Sequence, residues 1–186
     1  MKRQRILVTG LGFLMSAVIA GAAESERLPE PVGAWLSGYV RSQKAFNGQP
    51  LTDSDVEVIA TAHGDLNADQ LEDLAFLLST YGLRGANDSI QHLVVFLRDG
   101  SGLTYCCMKK VGERSGVTLG SISIAGNSVL LSGKEFVPGQ DAYCCPSRSW
   151  KGRVRLNGST LSDPIRGSTS NPRVESDALA RLTRTR

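Results

Sequence analysis

The chain has 186 residues and a mass of 19.9 kDa, with 21 Lys and Arg against 18 Asp and Glu, four cysteines and 6% aromatic residues. That length admits one domain with a tail, and a composition 41% hydrophobic and 21% charged excludes wholesale disorder. Lys2, Arg3 and Arg5 all fall in the first 22 residues, which contain no acidic residue, so the remainder carries 18 positive against 18 negative charges. A balance so close to zero gives no electrostatic basis for binding nucleic acid or an anionic membrane.

The amino terminus reads as an address, with an uncleaved anchor as the alternative because its 18 apolar residues almost span a bilayer. Basic KRQR, residues 2 to 5, precedes the uncharged run Ile6 to Ala23, and Ala20-Gly21-Ala22 supplies the small residues a signal peptidase needs. The expected organisation is a leader over residues 1–22, an exported β-rich domain over 23–162 and a flexible polar tail over 163–186. The location is then periplasmic or extracellular. No lipid anchor is expected, because the first cysteine is Cys106. The opening ILVTGLGFLM imitates the Gly-rich turn of a dinucleotide-binding strand. Met15 stands where a third glycine belongs, however, and no second strand follows at the required distance.

In chain order, Pro29 and Pro31 introduce a segment from Val32 to Phe46 whose Val32, Leu36, Tyr39 and Val40 recur near helical spacing. Asn47-Gly48-Gln49-Pro50 ends it. Short apolar runs punctuated by glycine then predict strands at Val56–Ala62, Leu74–Thr80, Leu93–Arg98, Thr104–Val111, Val117–Ile124, Ser128–Glu135, Ala142–Cys145 and Arg153–Leu156. The fold class expected is mainly β, an α+β chain with an antiparallel sheet, a small sandwich or a barrel, and an N-terminal helix. No long repeat period is present. Beyond Asp163-Pro164 the chain turns Arg-rich and non-aromatic, with Ser176 placed to cap a last short helix through Leu179 and Leu182.

The stretch HGDLNADQLEDLAFLL, His63 to Leu78, carries chemistry. It sets Asp65, Asn67, Asp69 and Asp73 at positions 1, 3, 5 and 9 of a loop, with the Leu71 carbonyl available at position 7. Calcium takes six to eight oxygen ligands, and alternate side chains of a tight loop can all turn inward to supply them. A helix–loop–helix hand closes with Glu at position 12, where this chain has Phe76, and the run after the ligands reads as a buried strand. The segment therefore resembles the FG-GAP/VCBS-type repeat, with its GDxNxDGxxD pattern between two strands, over about residues 56–80. That resemblance implies a calcium-binding hairpin loop on a secreted or surface protein used for structure, adhesion or recognition, with Asp65, Asn67, Asp69 and Asp73 as ligands. Gln70 replaces the glycine preferred at position 6, where a left-handed turn penalises a side chain. The alternative is that Asp65 and Asp69 cap their own backbone without metal.

Cys106-Cys107 and Cys144-Cys145 are adjacent pairs 38 positions apart. Neighbours in a regular strand face opposite ways, which makes this a poor zinc chelate, and export makes structural disulfides the expectation, with a redox role as the alternative although no CxxC is present. Antiparallel, adjacent segments would pair Cys106 with Cys145 and Cys107 with Cys144. Otherwise vicinal rings or a single cross-link remain. The segment DAYCCPS, Asp141 to Ser147, also resembles one found in small exported bacterial proteins, and it implies no activity.

No catalytic residues are assigned. His63 and His92 read as surface histidines, the second at a solvated strand edge. Ser147 and Ser149 lack a GxSxG elbow, and Glu57, Glu72 and Glu135 form no recognisable pair. Trp35, Tyr39 and Trp150 are expected in the core rather than on a sugar platform. The expected function is a non-enzymatic structural or recognition module with a protein or glycan partner. A small secreted hydrolase or hydrolase inhibitor is the alternative, and it would need a deep pocket joining His63 to carboxylates from other strands.

Overall fold

A computed structural model describes residues 28–85, 88–142 and 145–167. The expected leader and the helix expected after Ser176 lie outside the described residues. Pro29 precedes helix α1 (Glu30–Ser42), with Pro31 in its first turn and Glu30 at its positive end. The helix stops four residues before the expected Phe46, because Gln43 turns extended and Lys44 bridges Pro50 instead. A single 3-10 turn at Asp53–Asp55, closed by the Thr52–Asp55 capping box, leads into the first strand.

The strands are β1 (Val56–Gly64), β2 (Asp73–Tyr81), β3 (Ser89–Asp99), β4 (Gly102–Glu113), β5 (Val117–Ala125), β6 (Ser128–Glu135), β7 (Arg148–Asn157), β8 (Thr160–Leu161) and β9 (Ile165–Arg166). They form two antiparallel sheets, one ordered β1-β2-β3-β4 and the other β5-β6-β7-β8, with β9 paired to β7. The mainly β expectation with an N-terminal helix holds, and the arrangement is a sandwich of two sheets. Of the expected strand Ala142–Cys145, residues 143 and 144 lie outside the described residues, and the two ends differ from the expectation. Ala142 and Cys145 are not in a strand, because Asp141 Oδ2 accepts hydrogen bonds from the Val137 and Ser147 N–H groups and folds the chain into a closed loop ahead of β7. Part of the stretch expected as tail supplies β9, and Lys109 holds Asp163 beside it.

Three layers result. Helix α1 lies on one face of the first sheet through Val32, Trp35, Leu36 and Tyr39, which meet Leu74, Phe76, Leu78, Val94 and Phe96. The opposite face of the same sheet presents Ala75, Leu77, Leu93, Val95 and Cys107 to Leu119, Val129, Leu131, Trp150 and Val154 of the second. Alternate residues of one strand therefore enter two cores, which is why LAFLL is apolar without interruption: every residue from Asp73 to Thr80 is buried. Each fully buried Leu or Phe contributes about 1.5–3 kcal/mol.

Strand β7 follows the other rule. Trp150, Gly152, Val154 and Leu156 point inward, while Lys151, Arg153, Arg155 and Asn157 are exposed. The outer face of the second sheet thus has no covering layer among the described residues. The buried Gln91 side chain on β3 joins the sheets. Its Nε2 donates to the Leu119 carbonyl at 2.9 Å and its Oε1 accepts the Leu119 N–H at 2.6 Å. Leu119 borders a bulge in the β5–β6 ladder, so the amide stands in for a strand neighbour there.

Candidate functional site

The β1–β2 loop is built around two carboxylates. Asp65 Oδ1 accepts the Ala68 N–H at 2.6 Å and the Asp69 N–H at 3.2 Å, and its Oδ2 accepts the Gln70 N–H at 2.9 Å. Gathering three successive amides on one side chain coils the chain tightly, and Ala68 (φ 65°) and Gln70 (φ 68°) take left-handed conformations to allow it. Position 6 therefore has the conformation expected of it, with Gln70 in place of glycine. Ala68, at position 4, was not foreseen. Asn67 Oδ1 accepts the Asp69 N–H, Asp69 Oδ1 accepts the Leu71 N–H, and Asn67 Nδ2 donates to Asp69 Oδ2 at 2.8 Å. Leu66 drops into the inter-sheet core and anchors the loop, whereas the Leu71 side chain stands in solvent.

Asp73 has a different role from its neighbours. It is wholly buried, and its Oδ2 accepts the Leu66 N–H while its Oδ1 accepts the Arg98 N–H, each at 2.8 Å. One carboxylate thereby ties the loop to the end of β3. The donor chemistry suits a hard cation: Asp65, Asn67 and Asp69 project from alternate positions, and a carboxylate oxygen bonded to one N–H keeps a second lone-pair direction. Their side chains are turned onto the loop's own backbone, and among the described residues no three acidic, His or Cys groups converge as a ready metal cluster. The Asp65 and Asp69 carboxylates are engaged as caps of the loop's own backbone.

His63 Nδ1 lies 3.8 Å from Glu72 Oε2, with both side chains largely exposed and on the same hairpin. No cleft joins His63 to carboxylates of other strands among the described hollows. His92 departs from the expected solvated edge. It sits within β3, half-buried against the Tyr39 ring, with Nδ1 lacking a hydrogen-bond partner among the described residues, and burial followed by the nearby Lys110 charge pushes its pKa down. Trp35 stacks on Tyr39 and on Tyr105 and meets Phe76 and Phe96 edge-on, so it is core beneath α1. Trp150 is core between the sheets.

Two features escaped sequence reasoning. On the outer face of the second sheet, a trough of about 460 Å³ runs over Ser121, Ser123, Leu130, Ser132, Lys151 and Arg153. A smaller hollow of about 160 Å³ adjoins it at Arg153, Arg155, Ile165 and Arg166. No acidic residue lines either one. Glu135 neutralises Arg148 and Arg166 at 2.9 and 2.7 Å, but Lys151, Arg153 and Arg155 have no acidic partner among the described residues. The alternation of β7 was the available signal, since a strand that reads W-K-G-R-V-R-L puts its cations on one face.

The second feature is at the cysteines. Register slips between β3 and β4, where Val95 faces Cys107 and Phe96 faces Tyr105, leave Cys106 as an extra residue. That bulge cancels the usual alternation, and both cysteines pack toward the inter-sheet core with their Sγ atoms 3.1 Å apart. Both are free thiols, so the cross-pairing of Cys106 with Cys145 and of Cys107 with Cys144 is not formed. Burial, together with the hydrogen bond and charge of Cys106, pushes the Cys107 thiol up to about 12. Cys144 lies outside the described residues.

Compared with known proteins, the chain matches no family model, no curated protein and no solved structure. Among the described residues, no helix is long and apolar enough to cross a membrane.

Residue 70 provides a direct check on the loop. A non-glycine residue held left-handed costs about 1–2 kcal/mol, so Gln70→Gly stabilises the chain by about 1 kcal/mol and raises its melting midpoint by about 2–4 °C. The β-branched Gln70→Val lowers it. Urea or thermal unfolding measures both, and destabilisation by Gln70→Gly contradicts the left-handed turn.

Proposed function

We propose that the protein is an exported, non-enzymatic recognition module whose β1–β2 loop is a calcium-type clamp. The observation that carries this reading is the coil of Ala68, Asp69 and Gln70 amides around Asp65, with Ala68 and Gln70 left-handed, because it gives the chain the path a calcium loop follows. When bound, the cation would supply charge neutralisation and a rigid cross-link between loop positions. Asp65, Asn67 and Asp69, with the Leu71 carbonyl, are the residues that would hold it. Asp73 fixes the loop to β3 through the Arg98 amide. Export is supported by the basic, apolar and small-residue layout of residues 2–22.

The recognition surface in this proposal is the trough over β5, β6 and β7, and the partner is an anionic glycan. Lys151, Arg153 and Arg155 recur every second residue of a strand, about 6.7 Å apart, along a line that an extended anionic chain can follow. The floor offers hydroxyls from Ser121, Ser123 and Ser132, which both donate and accept, as sugar hydroxyls do. No aromatic side chain lines the trough, so the stacking that single-stranded nucleic acid uses has no platform there. A concave floor likewise suits a chain better than a planar membrane. The hydrolase alternative draws no support from His63, whose ion-pair neighbour among the described residues is the exposed Glu72.

The clamp is tested by the melting midpoint of the chain in chelator and in about 1 mM calcium. Binding at about 10⁻⁴ M stabilises by about 1.4 kcal/mol, a rise of about 3–6 °C that magnesium does not reproduce and Asp69→Ala removes. An unchanged midpoint overturns the clamp. The surface is tested separately with a heparin oligosaccharide. With about 1 kcal/mol per cation near an anionic surface, the combined Lys151→Ala, Arg153→Ala and Arg155→Ala variant binds about a hundredfold more weakly. Replacing Arg181, Arg184 and Arg186 by Gln leaves binding unchanged. Equal loss in both variants, or none in the first, overturns the surface.

A further inference from the structure

The two thiols on β4 have a geometry that an ordinary strand cannot produce. With side chains alternating, successive cysteines would point to opposite faces. Here the bulge opposite Val95 and Phe96 inserts Cys106 as an unpaired residue, and Cys106 and Cys107 turn to the same side with Sγ atoms 3.1 Å apart. A disulfide needs about 2.05 Å, so closure requires a movement of about 1 Å, within reach of a bulged segment on an edge strand.

Cys145, the competing partner among the described residues, is badly placed. In the first sheet β4 pairs only with β3, whereas Cys145 belongs to the loop ahead of β7 in the second sheet. The antiparallel adjacency that would align Cys106 with Cys145 is therefore absent. We propose that Cys106 and Cys107 form a redox-active dithiol that closes into a vicinal disulfide by exchange with a low-molecular-weight disulfide.

The exchange balances as two substitutions at sulfur. The Cys106 thiolate is the entering group, being half-buried where Cys107 is buried. It attacks one sulfur of the small disulfide, forming a mixed disulfide and expelling one thiolate. Cys107, losing its proton, then attacks the Cys106 sulfur, and the second thiolate leaves. Two cysteine thiols lose two electrons and two protons, and the small disulfide becomes two thiols. The closed ring fixes the bulge beside Tyr105, the residue that stacks on Trp35 of α1 with ring centroids 5.2 Å apart.

The sequence makes the test clean, because trypsin places each cysteine pair in its own peptide: DGSGLTYCCMK, residues 99–109, and EFVPGQDAYCCPSR, residues 135–148. The full chain is equilibrated with oxidised glutathione, quenched in acid, alkylated under denaturing conditions, digested and weighed. The expected result is an unalkylated 99–109 peptide, lighter than its dithiol by two hydrogens, about 2 Da, and joined to nothing else. Reduced glutathione restores two alkylated cysteines. Cys145→Ser leaves the ring intact, and Cys106→Ser abolishes it. A cross-linked pair of the two peptides, or a doubly alkylated 99–109 peptide after oxidation, overturns the proposal.

Discussion

Strand β2 is covered on both faces, and the rest of the molecule is arranged to make that possible. A strand buried on one side can discard alternate residues to solvent, but one buried on both needs a separate apolar partner for each set. Leu74, Phe76 and Leu78 find theirs in α1, and Ala75 and Leu77 find theirs in the second sheet. Removing either layer would expose half of β2. The helix and the second sheet are thus coupled through a strand that belongs to neither.

Burial on both faces leaves little tolerance for polar groups, and the side chains of Asp73, Gln91 and Thr80 there each have a hydrogen-bond partner. Asp73 at the start of β2 receives two amide hydrogens, and Gln91 on β3 exchanges a donor and an acceptor with Leu119. Thr80, near the end of β2, meets the Tyr39 hydroxyl of α1. In a low-dielectric interior such bonds are strong, and losing one partner leaves the other unsatisfied at a cost of about 1–3 kcal/mol. These contacts also fix geometry that apolar packing leaves free. Asp73 fixes where the loop sits, and Gln91 fixes the spacing of the sheets.

Much of this was legible in the sequence. Glycine-punctuated apolar runs located seven of the eight expected strands, since turn chemistry and hydrophobic runs are local properties. The loop was legible for the same reason, because the 1, 3, 5 spacing and the left-handed residue at Gln70 follow from short-range sterics. What stayed hidden depends on register. Nothing in YCCMK announces that Cys106 is inserted between the partners of Phe96 and Val95. His92 read as a solvated edge residue because its partner Tyr39 lies 53 residues earlier, on a helix whose seat the sequence does not specify. The basic face was lost in summation. A near-zero net charge is compatible with three cations on one side of β7 that have no acidic partner among the described residues, because charge balance says nothing about segregation. The run Ala142–Cys145 was expected as a strand, whereas Ala142 and Cys145 lie outside any strand, between Asp141 and the Ser147 amide that its carboxylate accepts.

The central claim, that β2 is the doubly covered middle of a three-layer fold, is tested most directly by amide hydrogen exchange resolved along the chain. Exchange of a fully enclosed strand requires global unfolding, while strands with a solvated face open locally at lower free energy. The account predicts that amides from Leu74 to Thr80 on β2, and from Leu93 to Phe96 on β3, exchange slowest and at one common rate. Those of β5 and β9 should exchange faster. If β2 exchanged as fast as β5, α1 would not be seated on the first sheet, and the three-layer account would be contradicted.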